Sequence, residues 1–272
     1  MTSALRALLD LRRADRALRA ALEPLAGPAG GRVAIAGLSP SAAATLLPVL
    51  LDAAPGGKIL FVAPGEKEAA LLRGDLAFSA AVLRPGAARV RLFAALEADP
   101  YQELEPHLGV ACERVQALRA LRQPGEAIIV APARALITPL APPDAFDLYR
   151  LELRPGQPIR PDEVSGFLLT AGYLRVDLVG SMGEFSRRGG IIDFFPPEGG
   201  GPVRLEFWGE EIDSLRSFDP GTQRSTERLA GAVVDPVREY PWDAPALERL
   251  RESLKMRRQS RRGAGALDLM TG

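Results

Sequence analysis

Phosphate-binding chemistry at a strand-to-helix turn needs glycines that free backbone N–H groups, a lysine as a point charge and a hydroxyl for magnesium, spaced as GxxxxGK[ST]. The stretch RVAIAGLSPSAAATLL, residues 32–47, keeps that frame without those groups. Apolar residues Val33 to Ala36 read as a strand, Gly37 opens a short polar turn, and a helix-forming segment begins at Ser41. Gly37 fits the first glycine of the pattern. Ala42 stands at the second glycine, Ala43 at the lysine and Ala44 at the Ser/Thr position. Alanine supplies neither charge nor hydroxyl, so the degenerate loop predicts no ATP hydrolysis and no cofactor. What remains for phosphate is a helix N-terminus with Ser39 and Ser41. Downstream, PGGKIL offers Gly57 and Lys58, but Ile59 occupies the hydroxyl position and Asp52 the first-glycine position. It reads as a turn before a strand. No acidic pair closes an apolar strand as a Walker B motif would.

A second kind of chemistry, protein docking, is suggested by GYLRVDLVGSMGEFSRRGGIIDFFPP, residues 172–197, followed by PVRLEFWGEEIDSLRSFDPGTQRS, residues 202–225. Arginines beside aromatics supply most hot-spot energy at interfaces. Arg187 and Arg188 point to opposite faces of any strand that holds both. Phe185, Phe194 and Phe195 also fit a core, because aromatics in strands usually face inward. If residues 173–179 and 184–195 are neighbouring antiparallel strands, Arg175 and Arg188 share one face. Solvated strand positions, or salt bridges to Asp177 and Glu184, are the alternative for these arginines. The basic run KMRRQSRR, residues 255–262, fits a solvated helix end or a phosphate contact. Cys112 and His107, one of each in the chain, cannot build a Cys/His zinc site, and no metal is expected.

The elements that must carry these residues fall into two textures. Up to about Pro139, strands (33–36, 59–63, 90–93, 127–131) alternate with helices (41–53, 66–77, about 111–121), the pattern of a parallel sheet flanked by helices. After PLAPPD, residues 139–144, a strand at 148–153 and a helix at 162–171 lead into strands at 173–179, 184–195, 203–209 and 212–218. Val203, Leu205 and Phe207 alternate there with Arg204, Glu206 and Trp208, a half-buried antiparallel signature. The expected organisation is an α/β domain over 1–143, an inserted α+β domain over 147–235, and a return to the first domain over 236–272. Leucines at 5, 8, 9, 18 and 22 predict an amphipathic helix at the start.

The 272 residues carry 34 basic and 34 acidic side chains, so no global field draws the protein to nucleic acid or to a membrane. No apolar run approaches the ~20 residues of a membrane span, and the first segment lacks the apolar core of a signal peptide. A cytoplasmic protein is expected.

The order of motifs from Tyr173 to Asp219 resembles the damage-recognition protein UvrB, and more closely the UvrB-like N-terminal module of the bacterial transcription-repair coupling factors, the Mfd family. DPYQELEPHLGVACERVQALRAL, residues 99–121, resembles the same family, so the likeness runs from about Arg32 to Pro241. It implies a helicase-like fold whose nucleotide loop has decayed, since the motor of that family lies in a separate domain, and an inserted domain that binds UvrA. Arg175 matches the arginine of the family's Tyr-x-Arg-x-Asp, and Arg188 that of its Phe-x-x-Arg-Gly. UvrB has a further arginine where this chain has Ser186, with Arg187 adjacent, so the resemblance makes Arg175, Arg188, Arg187 and Phe185 the candidates for UvrA binding. The implied function is recruitment of UvrA to stalled RNA polymerase in transcription-coupled nucleotide excision repair, with RNA polymerase and double-stranded DNA as partners of a longer parent. The alternative is a DNA-dependent ATPase or helicase fragment; the alanines at 42, 43 and 44 favour the binding module.

Overall fold

The computed structural model describes residues 32–51, 55–83, 85–86, 89–96, 107–138, 140, 149–198 and 200–239, with single positions 16, 20, 23 and 248. The leucines of the expected N-terminal helix, residues 99–106 and the basic run at 255–262 lie outside them. The chain divides into two compact units, residues 1–140 and 141–272.

In the first unit, β1 (Lys58–Ala63), β2 (Arg89–Leu92) and β3 (Ala127–Pro132) form a parallel sheet in the order β1-β3-β2. Helices α1 (Pro40–Leu50), α2 (Glu66–Leu83) and α3 (Leu108–Arg122) accompany it. The central strand β3, AIIVAP, is buried at every position, as a parallel strand covered on both faces must be. Its Ile128 and Val130, with Ile59, Phe61, Val90 and Leu92, pack under Ala43, Ala44, Leu47, Leu72 and Leu76 of α1 and α2. On the other face Ala127, Ile129 and Ala131 meet Ala117 and Ala120 of α3, small residues that let helix and sheet approach closely. Leu60 and Val62 of β1 stay half exposed on this side.

That asymmetry accounts for a departure from expectation. Val33 to Ala36 do not join the sheet; the segment runs without a ladder, and Ile35 is exposed. A strand gains by being covered on both faces, and a further strand beside β1 would lie next to a surface that is covered on only one.

In the second unit, six strands follow the order β10-β9-β8-β7-β6-β5 and a separate pair joins β11 (Ala232–Val234) to β4 (Leu151–Leu153). The large sheet comprises β5 (Leu174–Arg175), β6 (Glu184–Arg188), β7 (Ile191–Phe194), β8 (Val203–Trp208), β9 (Glu211–Phe218) and β10 (Ser225–Arg228). Helix α4 (Pro161–Thr170) buries Val164 and Leu168. The strand expected over residues 184–195 is a hairpin. Arg188 pairs with Ile191 across a two-residue Gly189-Gly190 turn, where Gly189 has φ +60°. Gly190 approaches β8 so closely that a Cβ would meet the Phe207 carbonyl oxygen at 3.3 Å. The Arg-Gly-Gly of the sequence is therefore a tight turn.

A second correction concerns residues 173–179. Only Leu174 and Arg175 are strand, and they pair with β6 in parallel, not antiparallel. The chain then turns through residues 176–183, where the Glu184 carboxylate accepts from the amides of Gly180 and Ser181, both at 2.8 Å. Glu184 is thus occupied by its own loop rather than by an arginine. Near the far boundary, the Val237 amide donates to the Ala171 carbonyl at 3.0 Å, so residue 237 is attached to the second unit. Apart from Glu248, the residues from 240 onward, which would carry the expected return to the first domain, lie outside those described.

Candidate functional site

At the start of α1 the amides of Ala42 and Ala43 already have partners. Ser39 caps the helix, its Oγ accepting from Ala42 N at 3.2 Å and its carbonyl from Ala43 N at 2.9 Å, and Pro40 brings no N–H. Ala43 and Ala44, the positions of the lysine and the hydroxyl in a working loop, are 5% and 2% exposed and belong to the core under α1 and α2. They pack; they do not face a ligand. Gly37 sits at φ +72°, exposed and with open space where a side chain would stand, so its glycine serves the backbone turn alone. His107 caps α3 by accepting from Gly109 N at 3.1 Å, and Cys112 is buried against that helix's sheet face. Among the described residues no cluster of His, Cys, Asp or Glu has the make-up of a metal site, and no helix is long and apolar enough to cross a membrane.

The second unit is built differently. Register across β6, β7, β8 and β9 puts Phe185, Ile192, Phe194, Val203, Leu205 and Leu215 on one face, all buried. Arg187 lies on this side and pairs with Asp162 of α4. The Arg187 guanidinium holds the Asp162 carboxyl below the usual carboxylate range through a hydrogen bond and its charge. The other face carries Arg188, Asp193, Arg204, Glu206 and Arg216. Asp193, 1% exposed, is gripped there by two arginines. Arg204 donates from Nε at 2.7 Å and Nη2 at 2.8 Å to its two carboxylate oxygens, and Arg188 donates from Nη2 at 3.1 Å. The Asp193 bond raises the Arg204 pKa above its ordinary value, and the Arg204 guanidinium also lies 5.1 Å over the Phe218 ring. Of the two arginines on Asp193, Arg188 is the one that reaches solvent, its side chain 51% exposed against 14% for Arg204.

The candidates are therefore not gathered on one face. Arg175 lies opposite Phe185 on the edge strand β5, on the α4 side by register, whereas Arg188 lies on the other side. Arg175 is exposed, and no hydrogen bond or ion pair among the described residues holds its guanidinium. Arg188 pairs with Asp193, not with Asp177 or Glu184. Phe185 is 1% exposed and has no surface to offer a partner; its ring is part of the core. Ser186 is buried across from Asp193. A surface that uses both Arg175 and Arg188 must wrap the β5 edge.

Reading the sequence alone missed Asp193 and Arg204 as a pair. The available signal was a carboxylate between Ile192 and Phe194 in an apolar run, which cannot be buried without cationic partners. The alternation of Val203, Leu205 and Phe207 with Arg204 already placed an arginine on the matching face.

The family described as UvrB interaction domain matches residues 151–240, which span the six-stranded sheet, α4 and the β4–β11 pair. Residues 151–240 are similar to that family. Over 223 residues, 82% of this chain and 19% of the relative, the sequence is 29% identical to the transcription-repair-coupling factor of Escherichia coli K12. It is 32% identical over 166 residues to that of Haemophilus influenzae Rd, covering 61% of this chain and 14% of the relative. The Bacillus subtilis 168 factor is 37% identical over 127 residues, 47% of this chain and 11% of the relative. The chain thus spans no more than about a fifth of these curated relatives. Within the interaction domain, both docking candidates and the Asp193 network fall inside the matched residues.

Proposed function

We propose that this chain is a non-catalytic docking module that recruits UvrA to stalled RNA polymerase in transcription-coupled nucleotide excision repair. The observation that carries the reading is that the residues matched as UvrB interaction domain form a sheet whose edge displays an exposed Arg175 and a half-exposed Arg188. UvrA is the partner met by this chain; RNA polymerase and double-stranded DNA are partners of a longer parent, and the setting is the cytoplasm. The first unit is read as a helicase-like platform with a decayed nucleotide loop, supported by the burial of Ala43 and Ala44.

Titration of purified UvrA tests the docking. Arg175→Ala and Arg188→Ala are each expected to weaken binding by about 2 kcal/mol, roughly 30-fold, with the melting temperature nearly unchanged, whereas Lys255→Ala does neither. Full affinity in both arginine variants would remove them from the site. Calorimetry with Mg-ATP addresses the ATPase alternative, and saturable micromolar binding would overturn the non-catalytic reading.

A further inference from the structure

Among the described residues Arg175 has no side-chain partner to aim it, so its direction depends on a two-residue strand and on the loop that follows. That loop, residues 176–183, is fixed at its start by Val176 N donating to the Phe185 carbonyl at 2.9 Å and near its end by Glu184. Its middle is held from elsewhere. The side-chain amide of Gln223, in the turn between β9 and β10, donates to the Val179 carbonyl at 3.0 Å and to the Pro220 carbonyl at 2.8 Å. The backbone carbonyl of Gln223 in turn accepts from Arg204 Nη1 at 3.2 Å, and Arg204 is the residue that forks onto Asp193, which holds Arg188.

Gln223 is an expensive choice for a turn. Among the described residues it is the only one other than glycine with a positive φ, +60°. Its amide oxygen Oε1 is buried without a hydrogen-bond partner. Left-handed backbone and an unpaired buried polar atom each cost stability, and a glycine here would remove both costs. A residue whose backbone and amide oxygen both cost stability, and whose amide reaches the loop behind one exposed arginine while its carbonyl touches the network behind the other, is placed to set their spacing.

We propose that Gln223 is a positioning residue, tying the loop after β5 to the Asp193–Arg204–Arg188 network so that Arg175 and Arg188 are presented at a fixed separation around the β5 edge. The proposal rests on the UvrA-docking reading. Gln223→Gly keeps the carbonyl that Arg204 needs, suits the left-handed backbone and deletes only the side-chain tether.

Two measurements on the full chain test it. Hydrogen exchange should quicken at amides of residues 177–181 in Gln223→Gly, with the melting temperature equal to the unsubstituted chain's or higher. UvrA affinity should fall about tenfold, because a loop ordered beforehand must now be ordered on binding. Unchanged exchange in that loop overturns the tether. Faster exchange with unchanged affinity overturns the positioning role while leaving the docking reading intact. A fall in melting temperature that accompanies the affinity loss would make Gln223 a merely structural residue and overturn the proposal. If the unsubstituted chain does not bind UvrA, the docking reading fails first, and Gln223 loses its function with it.

Discussion

The start of α1 and the open face of the six-stranded sheet treat polar chemistry in opposite ways. In the first unit, the positions where a nucleotide loop would put a lysine and a hydroxyl are alanines buried in the core. In the second, a carboxylate is buried on the face away from the hydrophobic core, yet it is bonded to two arginines, one of which reaches solvent. A frame stripped of polar groups can be kept for packing alone. A frame that retains a buried charge needs a well-placed cationic partner, since an uncompensated charge in the interior is far costlier than a missing methyl group.

The largest expected effect breaks the second half of that comparison. Arg204→Ala leaves Asp193 with Arg188 alone and should cost about 3–5 kcal/mol of stability, the range for breaking a buried pair. Urea unfolding of the variant measures it. Arg188→Ala removes one bond of three and leaves the Arg204 fork, so its midpoint should shift little. If the two variants unfold alike, Asp193 is not held as described.

Breaking the first half comes next. Ala43→Lys restores the missing cation by sequence but drives it into the contacts with β1 and β3, and a loss of about 2 kcal/mol or more is expected from overpacking and buried charge. Mg-ATP should still produce no saturable heat. A variant of unchanged stability that gains nucleotide binding would mean that the loop is a site awaiting its lysine rather than a packed helix end.

How far these features were legible depended on whether the cause was local. Continuous apolar runs announced β1 and β3, because burial writes itself into composition at short range. The 184–195 segment failed because its apolar residues on both sides of Gly189-Gly190 masked a turn whose signal was the glycine pair itself. Arg175 and Arg188 were placed on one face because strand direction was assumed; a parallel β5 reached through an eight-residue turn is decided by Glu184 and Gln223 holding that loop, contacts that no periodicity encodes. Arg187 and Arg188 could be assigned to opposite faces from alternation alone, and the hairpin bears that out.

The smallest effect compares those two neighbouring arginines. Arg187 pairs with Asp162 at the solvent-facing start of α4, where the carboxylate is mostly exposed, whereas Arg188 pairs with a carboxylate that is not. Asp162 titrates below its ordinary range in the folded chain, so its contribution to stability is present above the unfolded value of about 3.9 and is lost as the pH falls through the depressed folded value. Asp162→Asn should therefore melt slightly below the parent at pH 7, and the two curves should converge as the pH falls through the depressed folded value, where the parent's carboxyl becomes neutral as well. High salt should shrink the neutral-pH difference, as it does for exposed pairs. A difference that persists into acid would assign the effect to something other than the charge, such as the loss of an acidic residue's hydrogen bonding in the first turn of α4. A neutral-pH loss as large as that of Arg204→Ala would erase the distinction between the two sides of the sheet, and with it the claim that burial of the carboxylate, not the mere presence of an arginine, decides which pair the fold depends on.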